Sequence, residues 1–376
     1  MIKEICNLSL CTGCAACANR CPKQCISMKV EGGLGHLYPK INYDECINCG
    51  ACIKVCPSNS SAKLNKPITA YAGWDKNKEE YISSTSGGAA SAFSRYIINH
   101  GGVVYGCSIL QGIQIKHIRI DNIKDLIKLK GSKYVQSTIE NNCYKHVKED
   151  LKLGKQVLFI GTPCQIAGLK SFIGDNNDLL YTVDLICHGV PSLSYFQKHV
   201  LKKTGRRIPD EIYFRKNSSL LLLLVSNGIE LYRSHLLKER YSDIYYNTFF
   251  DGFSYRESCY HCPYATSSRV SDVTIGDFWG LKDNLPIAHT NGCSVLLPLT
   301  EKGVELIKNI SPDFYLFERT VKEAIDGNDQ LKHPKQKDYR IKLFRHLHKY
   351  LGINLAYRLC VCDRIIKNFI KTINKH

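Results

Sequence analysis

Cys11-Thr12-Gly13-Cys14-Ala15-Ala16-Cys17-Ala18-Asn19-Arg20-Cys21-Pro22 recurs, cysteine for cysteine, as Cys46-Ile47-Asn48-Cys49-Gly50-Ala51-Cys52-Ile53-Lys54-Val55-Cys56-Pro57, every cysteine shifted by 35 residues. One small unit has been duplicated. Between the copies stands Gly32-Gly33-Leu34-Gly35, a turn-rich stretch that reads as the bend between two short strands.

The spacing C-x2-C-x2-C-x3-C-P, present twice, is that of two-cluster ferredoxins, in which the fourth cysteine of each run ligates the other cluster. Three cysteines on one tight loop reach three irons of one cube, and the fourth lies too far round. The spacing therefore assigns Cys11, Cys14, Cys17 and Cys56 to one 4Fe-4S cluster, and Cys46, Cys49, Cys52 and Cys21 to a second. Zinc also takes four thiolates, but two identical four-cysteine runs disfavour it. Cys6 and Cys25 fall outside the pattern and read as plain buried thiols. The unit closes near Lys66-Pro67, giving a first domain over residues 1–66.

Beyond it the pattern alternates between helix and strand. A helix over Ala89–Asn99 is stopped by Gly101-Gly102 and followed by the apolar strand Val103–Cys107. Further strands read at Gln156–Ile160, Leu180–Ile186, Ile212–Arg215 and Leu220–Val225. The first two are short apolar runs of the kind buried in a sheet. This is an α/β (α+β) domain, taken over residues 67–330.

The 376 residues exceed the roughly 100 to 200 usual for one domain. With 44% hydrophobic and 23% charged residues the chain is ordinary globular protein, neither disordered nor fibrous. Apolar runs fall short of the roughly 18 to 20 residues a spanning helix needs, and a signal-type apolar stretch is not seen, so the expected location is cytoplasmic. Nineteen cysteines in such a chain point to metal rather than a disulfide framework. The formal charge of +17 is concentrated: residues 332–376 carry twelve Lys and Arg against Asp338 and Asp363, a net of +10. No helix-turn-helix or aromatic-basic array accompanies it, which argues against nucleic acid as a partner.

Three further cysteine segments stand apart: Gly161-Thr162-Pro163-Cys164, Cys187-His188-Gly189 and Cys259-x-x-Cys262. Two follow strand ends, where parallel α/β sheets gather their ligand-binding loops. From spacing alone four converging thiols and four buried structural cysteines are equally good readings.

Six ordered motifs then carry a resemblance. Ser84-Thr85-Ser86-Gly87-Gly88, Gly131-Ser132-Lys133-Tyr134-Val135-Gln136, Gly161-Thr162-Pro163-Cys164-Gln165, Cys187-His188-Gly189-Val190-Pro191-Ser192, Ser258-Cys259-Tyr260-His261-Cys262 and Asp272-Val273-Thr274-Ile275-Gly276-Asp277-Phe278-Trp279-Gly280 resemble the beta subunit family of coenzyme F-420 hydrogenase/dehydrogenase, from about Tyr71 to Asn328. The resemblance implies a flavoprotein domain holding FAD, and a third 4Fe-4S cluster on Cys164, Cys187, Cys259 and Cys262. It also implies electron transfer, with a ferredoxin-type protein as redox partner and a small two-electron acceptor or donor that the family does not fix. The family includes chlorophyll-pathway reductases and members associated with surface-polysaccharide synthesis. An alternative is therefore a non-catalytic electron-transfer subunit of a larger complex.

Ser86, Gly87 and Gly88 precede a helix whose first N–H groups and dipole favour a phosphate, so they are the expected FAD pyrophosphate contact, with an ordinary helix cap as the alternative. Lys133, Tyr134 and Gln136 resemble the segment along the flavin ring, where a lysine would stabilise reduced anionic flavin, the alternative being a solvated surface lysine. Gly161 and Thr162 complete the expected cofactor contacts. His188, beside a proposed cluster ligand, is the candidate proton donor, the alternative being a loop hydrogen bond. Asp272 and Asp277 read as turn-capping or loop-holding residues. The segment 331–376 sets Leu343, Phe344, Leu347, Leu351, Leu355, Leu359, Ile365, Ile366, Phe369 and Ile370 among basic residues at near-helical intervals. It is either a packed helix with a solvated basic face or a peripheral contact with the inner membrane surface.

Overall fold

The computed structural model describes residues 2–60, 62–174, 177–216, 219–282 and 285–373. Strands β1 (Ile26–Glu31) and β2 (His36–Ile41) form an antiparallel hairpin between the two cysteine runs. The duplication persists in the backbone. Gly13 and its counterpart Asn48 have φ of 70° and 54°, and Ala15 and its counterpart Gly50 have 58° and 72°. Each run thus takes two left-handed steps, which bend it into a loop before the short helices Ala16–Arg20 and Ala51–Lys54.

The large sheet is built from β3 (Ala70–Asp75), β4 (Val103–Leu110), β5 (Gln114–Ile120), β6 (Val157–Gly161) and β7 (Leu180–Leu185). A separate antiparallel sheet of β8 (Glu211–Lys216), β9 (Ser219–Ser226) and β10 (Ile229–His235) follows, and β11 (Val273–Asp277), β12 (Ser294–Pro298) and β13 (Phe314–Arg319) complete the large one. The large sheet runs in the order β13-β3-β12-β11-β7-β6-β4-β5. Its centre, β4, β6, β7 and β11, is parallel, and β12, β3 and β13 join by antiparallel pairing. The leucine-rich run is β9, whose Leu221–Leu224 are buried.

Side chains alternate across the central strands, so the sheet buries two faces. Val104 and Leu158 pack with Phe93 and Ile97 of the helix Ala89–Asn99. Val103, Tyr105, Val157 and Phe159 pack on the other face with Tyr144, Ile166 and Leu169, and that core continues without a break into Cys14, Cys17 and Ile26. The ferredoxin module therefore shares a core with the sheet domain. Polar pins reinforce the joint: Asn19 Nδ2 donates to Glu140 O, and Tyr144 OH donates to the carbonyls of Cys14 and Gln165, each at 3.0 Å.

The hairpin's turn is also gripped. His36 Nε2 pairs with Val190 O at 3.1 Å, and Ser192 Oγ donates to Leu34 O. A β-carbon on Gly33 would stand 2.6 Å from the His348 ring. His348 belongs to the tail helix Tyr339–Cys360, which is interrupted at Gly352 (φ 72°) and followed by the helix Cys362–Ile373. Ile341, Phe344, Tyr357 and Cys360 bury its inner face, while Leu343, Leu351, Leu355 and Leu359 remain exposed. The side chains of Phe369 and Ile370 lie outside the described set. Among the described residues no helix is long and apolar enough to cross a membrane.

Candidate functional site

The two cysteine runs enclose two cavities. Cys11, Cys14, Cys17 and Cys56 line one, and Cys21, Cys46, Cys49 and Cys52 line the other. These are the two crossed sets that the spacing assigns. Among the described residues no group of three or more His, Cys, Asp or Glu is placed to hold a single metal ion. The thiols of each set stand around their cavity. The sets differ in depth: Cys11, Cys14, Cys17 and Cys56 are all buried, whereas Cys49 is exposed and Cys46 half-buried. The former are called the inner set below and the latter the outer.

Cys6 and Cys25 are buried thiols, as the spacing suggests, and they also stand at the two cavities. Cys6 lines the inner cavity and Cys25 the outer, with Cys25 Sγ 3.4 Å from Cys21 Sγ. The neighbouring Cys6 thiol holds Cys11 below its ordinary value, aided by the Arg256 charge, and lowers Cys56 likewise. Burial pushes Cys14 up to about 12. A fifth thiol lying so close in sequence to the first run was the only signal available.

Cys164, Cys187, Cys259 and Cys262 are also brought together. Cys164 follows β6 in the first turn of the helix Pro163–Ile173, and Cys187 follows β7. Cys259 and Cys262 lie on and just beyond the short helical turn Glu257–His261. Gly189 (φ 120°) lets the loops close, since a β-carbon there would stand 2.5 Å from the Tyr255 ring. Burial raises all four thiols, Cys187 to about 12 and Cys262 to about 11. Repulsion among them adds to it: Cys187 feels Cys164 and Cys262, and Cys259 feels the other three. Four like-charged ligands crowded into a buried site are tolerable once iron holds them as thiolates.

The inner and third sets adjoin. A β-carbon on Gly168, one turn along the helix from Cys164, would stand 2.9 Å from Cys14 Sγ. The Tyr264 hydroxyl, raised chiefly by burial, feels Cys164, Cys14, Cys262 and Cys56. Thr162 caps the helix, and its Oγ1 lies 3.2 Å from Cys164 Sγ. Gly161 ends β6 against Phe159 and Gln165. These two residues therefore sit at the third thiol set.

The remaining expected contacts gather past the same strand ends. The helix Ala89–Asn99 begins at Gly88 (φ 89°) with no side-chain cap and no acid in its first turn. Ser86 Oγ donates to Cys293 O at 3.0 Å, and Thr85 Oγ1 meets Ser132 Oγ at 3.1 Å. Gly87 is bare for packing: a β-carbon there would strike Gly73 O of β3. Lys133 Nζ donates to Leu129 O and Lys130 O, both at 2.7 Å, and burial lowers it to about 8. Asp277 pairs with Arg215 Nη1 at 2.5 Å, while Arg215 Nε is buried without a hydrogen-bond partner. His188 is exposed in the loop after β7, and desolvation lowers its pKa against the pull of Asp277 and Asp329. Asp272 is a strand tie, accepting from Thr182 N and Thr182 Oγ1.

Two expected flavin contacts are committed elsewhere. Gln136 Nε2 donates to Thr12 O at 2.9 Å and Gln136 Oε1 accepts from Arg256, at the joint with the ferredoxin module. The Tyr134 ring stacks on Phe249 at 5.3 Å and meets Phe214 and Phe250 edge-on, inside an aromatic core.

Residues 154–324 match the family described as the C terminus of the coenzyme F420 hydrogenase/dehydrogenase beta subunit, and residues 10–60 match the 4Fe-4S dicluster domain. No curated protein matches the chain. Among solved structures, a chain from the F420-reducing [NiFe] hydrogenase complex of Methanosarcina barkeri aligns at 18% identity and a TM-score of 0.47, covering 71% of this chain and 91% of that one.

Proposed function

We propose that the chain, whose residues 154–324 match the C terminus of the coenzyme F420 hydrogenase/dehydrogenase beta subunit and whose residues 10–60 match the 4Fe-4S dicluster domain, is an iron-sulfur oxidoreductase of that family that carries single electrons from a ferredoxin-type protein through three 4Fe-4S clusters to FAD, or in reverse. The observation that carries this reading is the contiguity of the thiol sets: outer, inner across the shared module, and third beside Gly168 and Cys14. When bound, the clusters would pass electrons singly and the flavin would pair them for a two-electron partner. The exposed Cys49, flanked by Ile47 and Tyr43 on the surface, is where a donor protein would approach.

For the flavin, the uncapped helix start at Gly88 and the unpartnered Arg215 Nε are the groups suited to its anionic parts. Lys133 would add a charge near the ring, Ser86 and Ser132 would line the approach, and His188 is placed to hand over a proton. Gln136 and Tyr134 would support this site from behind.

Two measurements test the reading. Anaerobically purified protein should contain about twelve iron and twelve acid-labile sulfide, four of each per cube; eight would leave the third set without a cluster, and zinc would overturn the reading. FAD affinity should fall as pH rises through about 8, because Lys133 carries its charge only below that value. Lys133→Met should bind FAD about tenfold or more weakly, as loss of a charged hydrogen bond costs, and with a flat pH profile over that range. Unchanged affinity would place the lysine away from the flavin.

A further inference from the structure

Arg256 is among the largest fully buried side chains of the protein, and so is Arg269. Arg269 has a carboxylate, Asp184, at 3.2 Å. The hydrogen bonds of Arg256 instead go to carbonyls, an amide and a thiol. Its Nε donates to Cys11 O at 2.5 Å and its Nη2 to Leu37 O at 2.6 Å. Nη1 reaches Gln136 Oε1 at 3.2 Å, and Nη2 lies 3.5 Å from Cys11 Sγ. The guanidinium sits 4.2 Å over the Tyr38 ring. Gly13 is bare on this side, and a β-carbon there would stand 2.9 Å from Arg256 Nη1.

A buried cation with no anion beside it is strongly destabilising. The anionic groups at hand are the ligand thiolates, Cys11 in contact and Cys164 within electrostatic reach. Arg256 also precedes Cys259 by three residues, and Cys259 N donates to Arg256 O at 3.0 Å. It therefore stands between the inner and third sets, tied to both.

We propose that Arg256 is the counter-ion of the inner 4Fe-4S set and raises the reduction potential that burial alone would depress, so that the inner set accepts an electron from the outer one. This rests on the electron path proposed above. The step makes and breaks no bond: the inner set gains one electron, the outer set loses it, and the outer set is refilled by the ferredoxin-type donor. The added electron increases negative charge in a low-dielectric site, and a fixed cation stabilises that state more than the oxidised one. The outer set has exposed Cys49 and can rely on water. Arg256 acts through the ligand set and is a positioning and tuning residue, not a catalytic one.

The test is an EPR-monitored redox titration of the anaerobic full-length protein, the inner signal being the one missing from Cys14→Ala. In Arg256→Gln the inner midpoint should fall by at least a tenfold change in the reduction equilibrium, about 59 mV for one electron, with the outer midpoint and the iron content unchanged. If Arg256→Gln does not assemble, Gln136→Glu decides the matter, since it keeps the arginine and gives it a rival anion; the inner midpoint should again fall. An inner midpoint unmoved in the variant that assembles overturns the proposal and leaves Arg256 a structural anchor. Wild-type protein with no inner signal at all would instead overturn the path reading, a separate failure.

Discussion

Cys262→Ala should leave a protein whose ferredoxin half still accepts electrons and whose flavin half no longer receives them. Iron should drop from about twelve to about eight per chain, since one cube needs all four thiolates. Donor-linked reduction of FAD should be lost, while dithionite should still bleach the flavin directly. The argument is geometric. Cys262 belongs to the set that adjoins the inner one through the helix Pro163–Ile173, and the residues proposed for the flavin, around Gly88, Lys133 and Arg215, supply none of its thiols. Cys14→Ala is the mirror experiment, removing the inner cluster and sparing the third. If donor-linked flavin reduction survives Cys262→Ala, the order of carriers is wrong.

Deleting residues 337–376 should have a still broader effect, although none of the proposed cluster or flavin ligands lies there. Glu257, beside Arg256 and two residues before Cys259, is paired with Lys337 and Arg345 from the tail, and Arg345 Nη1 also donates to Tyr255 O at 3.0 Å. Phe344 and Tyr357 meet Phe253 edge-on at 5.3 and 5.1 Å. Burying each such side chain is worth about 1.5–3 kcal/mol, so losing Ile341, Phe344, Tyr357 and Val361 together approaches the roughly 5–15 kcal/mol that holds a domain folded. The truncated protein should melt far lower and lose the third set's iron first. Glu257→Gln, which keeps the packing, should show the same loss in milder form. A truncation that retains about twelve iron would show that the tail does not brace the cysteine loop.

Legibility in the sequence followed distance along the chain. The eight cysteines of the repeated runs were readable because their spacing is local, and the backbone that bends each run repeats at Gly13 and Asn48. The helix Ala89–Asn99 was readable from its glycine stop, and the β6 and β7 runs from their largely apolar character. The third thiol set was not readable from spacing, because Cys164, Cys187 and Cys259 approach one another only after β6 and β7 lie side by side; resemblance alone grouped them. The motif around Gln136 and Tyr134 did not disclose their partners, which come from distant parts of the chain: Gln136 bonds Thr12 at the module joint and Tyr134 stacks in the aromatic core. Arg256 belongs to no pattern of period or spacing, and its importance appears only when its buried partners are known. The break at Gly352 was hidden inside a near-helical rhythm of leucines.

The grip on the ferredoxin hairpin has a consequence for how the protein is made. The turn around Gly33 and Leu34 is held between the loop at Val190–Ser192 and His348 of the tail helix. A segment that leaves the ribosome early therefore cannot finish docking until one made some 300 residues later has emerged. The tail helix then closes on the hairpin turn, so the last contacts of the ferredoxin module wait for the end of the chain.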